Sequence, residues 1–465
     1  MPIWTPDFTG LDDLPRYLAL ATSIGLAIDR GELHAGDRLP ARRDLAFRLG
    51  LSIHTVSSAY SEAERRGHVV GEVGRGTFVL GRPAESRESR YIMQRNHQDI
   101  IDLSICRPVQ GDFTARCLRS VLKSLGGDPD LSAMTACRPV VGLDAHRESG
   151  AQWLATLGLK CDPNGIVVTN GAAHAVQVAL SALTEPGDGV ATESLTDHGI
   201  ISLASILHFR LRGIATDEHG MMPDALEAAC KAGDVKVVTI TPTLTNPTTT
   251  LMPEDRRRAI VAIAERYDIW IVEDDVFAPL VESGPPALHS LAPHRTLYVT
   301  GFTKWSVSGL RTGLLLAPEA LVPKLVARVR ATTWMATPLV AEIASRWITD
   351  GTMRELAHWQ RERLSERNRL VEEKLPAGAY RSHPTGPNVW VRLPEPWRAR
   401  TFTAQAWHEG VAITPAEPFV VGRADQPHAV RLSIGAAENP DDLAHGLDVI
   451  STLLSQEPDP MVLTV

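Results

Sequence analysis

Short apolar runs, most of them rich in β-branched residues, alternate with amphipathic segments through the middle of this chain. The runs lie at residues 166–168, 190–192, 235–240, 270–272 and 296–299. Apolar residues at helical spacing mark the intervening segments 173–183, 200–207, 223–231 and 253–266. This alternation favours the α/β class, in which helices cover a mostly parallel sheet. Ligands of such sheets bind beyond the carboxyl ends of the strands, so polar residues that follow these runs are the candidates for a site.

Length and composition limit the other possibilities. A chain of 465 residues is too long to fold around one compact hydrophobic core, so we expect two or three domains. It has no apolar run near the roughly 20 residues of a membrane span and no export signal, which predicts a cytoplasmic protein without a membrane partner. Five scattered cysteines favour reduced thiols over disulfides or a zinc site, so we expect no metal. The net charge of −8 argues against nucleic-acid binding by the whole chain, although it allows one small DNA-reading module.

The first 80 residues predict a helix-turn-helix followed by a hairpin. Helical spacing and glycine stop signals indicate helices at 14–29, 42–49 and 52–66. Two β-prone pieces, 68–70 and 77–80, flank a glycine-rich turn that carries Arg75. This order is typical of a winged helix. An ordinary small helical domain with solvated arginines is the alternative interpretation.

Several motifs of this segment, in their order, resemble the GntR-type winged helix. They are Gly36 to Pro40, Arg43 to Ala46, Leu51-Ser52, Thr55-Val56 and Gly74 to Val79. The resemblance implies that the residues facing DNA are Arg43, His54, Thr55 and Arg75. Residues 1–82 contain ten Arg, no Lys and ten acidic residues, and Ile53 and Ser57 stand where relatives often have arginine. We therefore expect sparse base readout, and we expect a homodimer to bind two half-sites of operator DNA.

Domain boundaries follow from changes in pattern. Residues 81–99 are polar and lack periodicity, which indicates a connector, although a short helix within it is equally compatible. Residues 1–80 would then be the DNA-binding domain and residues 100–465 the effector and dimerisation domain. After about residue 335 the pattern changes to longer helices and two strand-like pieces, 386–391 and 429–432. That change predicts a smaller C-terminal α+β subdomain.

A lysine-containing loop follows the last strand of the alternation. The runs Tyr298 to Lys304 and Ser308 to Gly313 resemble the lysine loop of fold-type I aminotransferases. The resemblance implies that Lys304 forms a Schiff base with pyridoxal 5′-phosphate (PLP). It also implies that Arg311 binds the phosphate, helped by Thr300 or Thr303. A lone lysine is normally a solvated surface charge, but the complete pattern argues against that interpretation.

Other motifs occupy the positions that the same resemblance assigns to cofactor and ligand. It implies that Asp274 pairs with the pyridine nitrogen, although Asp275 is an alternative because the register of an acidic doublet is ambiguous. Asn246 would bind the 3-hydroxyl group, and Arg431 would bind a ligand carboxylate unless it is an ordinary strand arginine. A turn between strand and helix would cradle the phosphate with Gly171, Ala172 and Ala173. Since Asp197 replaces the usual stacking aromatic residue, His198 is the candidate for stacking on the ring.

A winged helix joined to an aminotransferase-like domain resembles the MocR-type subfamily of GntR transcription factors. The resemblance implies that an amine-bearing inducer displaces Lys304 by aldimine exchange and changes how the dimer meets DNA. Relatives respond to GABA, taurine, pyridoxal compounds or diaminobutyrate derivatives. Val276, Phe277 and Cys137 stand where the enzymes carry tyrosines, and this favours a sensor. An active aminotransferase with an appended DNA-binding module, and a DNA-binding protein that uses PLP only structurally, remain the alternatives.

Overall fold

The structure is a computed structural model, and it separates into two compact units, Met1–Arg95 and Asn96–Val465. It describes residues 4–9, 11, 14–30, 32–34, 37–65, 68–72, 76–79, 100–128, 131–135, 137–422 and 427–457. The predicted connector 81–99 and the predicted DNA contact Arg75 lie outside these residues. Within the described part of the chain, no helix has both the length and the apolar character needed to cross a membrane.

The first unit contains three helices and a hairpin, as the sequence predicts. They are α1 (Arg16–Asp29), α2 (Arg42–Leu49), α3 (Ile53–Arg65), β1 (Val69–Glu72) and β2 (Gly76–Val79). Gly50 ends α2 in the left-handed conformation with φ +63°, which favours glycine. Ser52 then caps α3, because its Oγ accepts the Thr55 backbone N–H at 3.0 Å. The buried apolar faces of the helices and the hairpin form one core.

The second unit has the following elements in chain order: β3 (Ile101–Asp102), α4 (Asp112–Gly126), α5 (Ser132–Thr135), α6 (Asp144–Thr156), β4 (Ile166–Thr169), α7 (Ala172–Leu183), β5 (Gly189–Glu193), α8 (His198–Leu207), β6 (Arg210–Ile214), β7 (Thr216–Asp217), β8 (Gly220–Met221), α9 (Pro223–Lys231), β9 (Val235–Ile240), α10 (Glu254–Arg266), β10 (Trp270–Asp274), α11 (Leu288–Leu291), β11 (Thr296–Gly301), β12 (Gly313–Leu316), α12 (Val322–Thr332), α13 (Pro338–Thr349), α14 (Thr352–Lys374), β13 (Tyr380–Ser382), β14 (Asn388–Arg392), α15 (Ala399–His408), β15 (Val411–Ala412), β16 (Thr414–Pro415), β17 (Ala429–Ser433) and α16 (Pro440–Leu454).

The central sheet has the strand order β4-β12-β11-β10-β9-β5-β6. Of the strands described in this sheet, β12 alone runs antiparallel to its neighbours, and the other pairings are parallel. Alternate residues of the strands point to opposite faces. Val237 and Val272 accordingly pack into one buried cluster and Val238 and Ile271 into another. The mostly parallel α/β sheet predicted from the sequence is confirmed, and burial on both faces explains its apolar runs.

A smaller antiparallel sheet of order β13-β14-β17-β16 forms the predicted C-terminal α+β subdomain. In its register, Arg431 on β17 lies between Trp390 on β14 and Thr414 on β16. The start of the second unit joins this subdomain, because β3 pairs with β15 and the Ser433 N–H donates to the Leu103 carbonyl at 2.7 Å. These pairings bring the segment after β3 close to Arg431.

Candidate functional site

Residues that the sequence analysis discussed for the site lie at or after the carboxyl ends of five strands of the central sheet. Gly171 follows β4, Asp197 follows β5, Asn246 follows β9, Asp274 ends β10, and Lys304 follows β11. These strands run in the same direction, so their carboxyl ends meet at one edge of the sheet. A ligand site in an open α/β sheet lies at such an edge.

The start of α7 forms a cradle for an anion. Gly171 caps the helix with φ +84°, and a Cβ at this position would stand 3.2 Å from Nη2 of Arg311. The guanidinium of Arg311 therefore lies against the turn whose N–H groups begin the helix. Those first N–H groups, which include Ala172 and Ala173, have no carbonyl partner within a helix and point toward a bound anion. The turn combines two features that favour a phosphate, a helix N-terminus and an arginine.

The two threonines predicted to assist Arg311 differ in their hydrogen bonding. The Thr303 hydroxyl donates to the Leu310 carbonyl at 3.2 Å and so closes the loop that carries Lys304. The Thr300 hydroxyl is buried and has no hydrogen-bond partner among the described residues. Buried hydroxyls are normally satisfied, so Thr300 has an unused donor beside the start of β12.

Asp274 presents a carboxylate with one oxygen that lacks a partner. Its Oδ1 is buried without a hydrogen bond from any described residue. Burial, reinforced by the negative charges of Asp197 and Asp275, raises the pKa of Asp274 to about 7, and the charge of Lys304 partly opposes this. A protonated ring nitrogen would satisfy the free oxygen and neutralise the charge.

The other member of the acidic doublet is placed differently. Asp275 is fully buried, whereas Asp274 remains partly exposed. The Tyr298 hydroxyl donates to Oδ2 of Asp275 at 3.2 Å. A ligand can therefore reach Asp274 more readily than Asp275, and the geometry favours the first of the two sequence alternatives.

A chain of hydrogen bonds connects Asp197, Asn246 and Arg431. Nδ2 of Asn246 donates to Oδ2 of Asp197 at 2.8 Å, and Nη1 of Arg431 donates to Oδ1 of Asn246 at 2.9 Å. Asp197 also caps α8 by accepting the Gly199 N–H at 2.8 Å. Burial opposes ionisation of Asp197, but these bonds and the positive charges of His198 and Lys304 hold its pKa below the usual value. Asp197 is thus an ionised group within the site.

Arg431 is a buried arginine with both terminal nitrogens in use. Beside its bond to Asn246, it donates through Nη2 to the Ser104 carbonyl and, at 3.3 Å, to the Thr414 hydroxyl. Its guanidinium carbon lies 4.9 Å from the centre of the Phe419 ring. Nε has no partner among the described residues. A ligand carboxylate at Arg431 would share or replace the existing bonds.

Lys304 is partly buried, and its Nζ donates to the Cys106 carbonyl at 3.2 Å. Its amine therefore has a fixed position near the charges of Asp197 and Asp274, whose pKa values it influences. His198, the predicted stacking residue, is the first residue of α8 and is partly buried. It acts electrostatically on Asp197, and its stacking role remains a prediction.

The predicted DNA contacts in the first unit also differ in exposure. Arg43 on α2 and His54 on α3 are exposed. Thr55 is partly buried, and its hydroxyl lies 2.8 Å from the Ser52 hydroxyl within the cap of α3. Thr55 is therefore engaged in helix capping, while Arg43 and His54 are accessible for DNA contact.

Sequence reasoning missed part of the site. It treated Asp197 as the replacement of an aromatic ring, whereas the structure makes it the partner of Asn246. An aspartate directly before a helical run is an N-cap signal and would have indicated where this carboxylate lies. The carbonyls of Ser104 and Cys106 leave no signal in a sequence, because every residue has one.

The donor set fits PLP. The start of α7 and Arg311 suit the phosphate, the free oxygen of Asp274 suits the ring nitrogen, and Lys304 supplies a primary amine for the aldehyde. Asn246 carries an amide N–H group suited to the ring hydroxyl. The two residues directly after Asp275 are Val276 and Phe277, so neither position supplies a tyrosine hydroxyl.

Comparisons with known proteins agree with this fit. The sequence profile described as "Aminotransferase class I and II" matches residues 99–450, and that described as "Bacterial regulatory proteins, gntR family" matches residues 16–79. An HTH-type transcriptional regulator of Bacillus subtilis, YdeF, is 27% identical over 97% of this chain and 96% of its own length. The pyridoxine biosynthesis transcriptional regulator PdxR of Corynebacterium glutamicum is 26% identical over 77% of this chain and 78% of its own. The crystal structure of Pyrococcus horikoshii kynurenine aminotransferase matches with a TM-score of 0.73 and 24% identity, over 80% of this chain and 95% of that one.

Proposed function

This chain belongs to the class I and II aminotransferase family and carries a gntR-family regulatory domain, and on that premise we propose that it is a PLP-dependent transcriptional regulator. It binds operator DNA as a homodimer and senses a small primary amine at Lys304. Since operator DNA of bacteria lies in the cytoplasm, we place its action there. The observation that carries the proposal is the union, in one chain, of a DNA-reading domain with a site that fits PLP.

The residues of the site have separable tasks in this proposal. PLP, when bound, supplies an aldehyde that exchanges one primary amine for another, so a free amine competes with Lys304. Arg311 and the N–H groups of α7 hold the phosphate, and Asp274 keeps the ring nitrogen protonated. Arg431 binds an acidic group at the other end of the ligand. The ligand class is therefore a primary amine that also carries a carboxylate or sulfonate.

The same residues favour sensing over turnover. A working aminotransferase must move protons efficiently at the reacting carbon. Val276 and Phe277 offer no hydroxyl beside the cofactor, and the Tyr298 hydroxyl is bound to the buried carboxylate of Asp275. Lys304, once displaced, is then the candidate proton carrier, and neither Val276 nor Phe277 supplies a hydroxyl to assist it.

The DNA-binding half of the proposal depends on dimerisation. The first 82 residues carry equal numbers of arginines and acidic residues, so a single domain has little net attraction for phosphate. Two domains that bind two half-sites combine their contact energies. A change in the large domain that alters the spacing of the two DNA-binding domains would then control binding to the operator.

The proposal is tested with purified full-length protein and PLP. The visible absorbance of the cofactor held by Lys304 should shift when amines with an acidic group are added, without accumulation of a keto product. Lys304→Ala should bind DNA as the parent does but lose the response to amines, whereas Lys324→Ala, at an exposed lysine of α12, should keep both. Steady turnover with a keto-acid acceptor would instead identify an aminotransferase. If Lys304→Ala still responds to amines, the protein does not sense them through Lys304, and PLP has only a structural role.

A further inference from the structure

Two large apolar side chains are exposed on either side of the turn between α2 and α3. The exposed fraction is 89% for Phe47, near the end of α2, and 51% for Ile53, the first residue of α3. Leu45 and Val56 on the same helices are buried in the core of the first unit. The core is thus complete without Phe47 and Ile53, so both side chains are available for contact with a partner.

The positions of both residues direct them toward DNA in a helix-turn-helix. The N-terminal residues of the second helix of this motif reach base edges in the major groove. Ser52 caps α3 and fixes where Ile53 begins the helix, and the next residue, His54, is also exposed. Phe47 follows Arg43 by four residues, so the two share a face of α2.

The chemistry of Ile53 limits what it can recognise. An isoleucine side chain has no hydrogen-bond donor or acceptor, and the apolar group on a base edge in the major groove is the 5-methyl group of thymine. We propose that Ile53, aided by Phe47 on the adjoining helix, reads thymine methyl groups in each operator half-site. This inference rests on the proposed DNA-binding function and adds the base preference of the recognition helix. The equal numbers of arginines and acidic residues in this region agree with readout by shape and apolar contact.

The test starts from a duplex DNA library with a randomised centre, from which the full-length protein with PLP enriches binding sites. We expect thymine at a fixed position in each half-site. Replacing that thymine by uracil in one half-site removes a single methyl group and should weaken binding about 4-fold, the effect of one buried methyl-sized group. Ile53→Ala should abolish the difference between thymine and uracil, and Ile53→Arg should shift the selection toward guanine.

A matched control separates this effect from loss of apolar surface in general. Ile206 on α8 is exposed to 54%, close to the value for Ile53, and lies in the second unit. Ile206→Ala should keep the full preference for thymine over uracil. Thermal melting of each variant verifies that the first unit is folded.

Three outcomes would overturn the inference. The first is equal affinity of the enriched sites with thymine and uracil, and the second is a preference that survives in Ile53→Ala. The third is an Ile53→Ala protein with altered oligomeric state and unchanged selection, which would make this surface a contact between copies of the chain. Failure of the parent and of Ile206→Ala to enrich any duplex would refute the proposed DNA-binding function itself, and the inference with it.

Discussion

Replacing Asp274 by asparagine should stabilise the cofactor-free protein at neutral and alkaline pH while weakening its hold on PLP. Burial and the charges of Asp197 and Asp275 raise the pKa of Asp274 from 3.8 to about 7. An acid with a raised pKa in the folded state loses its proton more easily when unfolded, so its ionisation favours unfolding. The penalty is absent below pH 3.8 and complete above pH 7. At about 1.4 kcal/mol per pH unit it amounts to roughly 4 kcal/mol, which asparagine removes because it cannot ionise.

Urea unfolding of the cofactor-free protein at pH 5 and pH 8 measures this effect. Nine of the ten tryptophans lie in the second unit, so their fluorescence reports its unfolding. The parent should lose stability between the two pH values, and Asp274→Asn should lose less and be the more stable protein at pH 8. Asp255→Asn, at an exposed position of α10, should keep the parent's pH dependence.

The same substitution should have the opposite effect on cofactor binding, which it should weaken. An asparagine cannot form an ion pair with a protonated ring nitrogen, so a titration at pH 8 should show weaker PLP binding by Asp274→Asn than by the parent. Identical pH dependence of stability in the two proteins would refute the argument from burial. A variant that binds PLP as tightly as the parent would refute the assignment of Asp274 to the ring nitrogen.

Further substitutions test other parts of the site and its support. Gly171→Ala places a Cβ at φ +84° and 3.2 Å from Nη2 of Arg311, so PLP affinity should fall at least about 10-fold in a spectroscopic titration, with a stability loss of about 1 kcal/mol. Arg257 is 1% exposed, donates to three backbone carbonyls and lies beside the buried Glu273. Because Arg257→Met would leave these groups without their partner, the free energy of unfolding measured in urea should fall by about 3–5 kcal/mol. Asp197→Asn removes a negative charge that raises the pKa of Asp274, so the pH midpoint of PLP binding should move to lower pH. An unchanged midpoint would show that the two carboxylates do not interact.

The sheet was predictable where strands are buried on both faces. The apolar run 235–240 coincides with β9, and the helical pattern 223–231 coincides with α9. The sequence did not predict β12, because its four residues begin with glycine and include no β-branched residue. Its antiparallel insertion between β4 and β11 depends on pairings distant in the chain, which periodicity cannot reveal.

The site was predictable where its residues form local motifs. Lys304 and Arg311 lie in one loop, and the sequence could place them together. The bonds from Asn246 to Asp197 and to Arg431 join residues 49 and 185 positions apart. No local pattern records such contacts, since they exist only after the two sheets have formed and packed.

These long-range bonds bear on the choice between sensor and enzyme. An acidic ligand at Arg431 finds both terminal nitrogens already bonded, so it competes with bonds within the protein for the donors that it uses there. One of the bonds with which the ligand competes joins Arg431 to Asn246. Asn246 in turn donates a hydrogen bond to Asp197, directly before α8. An enzyme gains little when substrate binding disturbs its cofactor contacts, because catalysis needs groups that are already in place. A sensor requires that the bound and free states of the protein differ, and a ligand that competes with an internal bond favours such a difference.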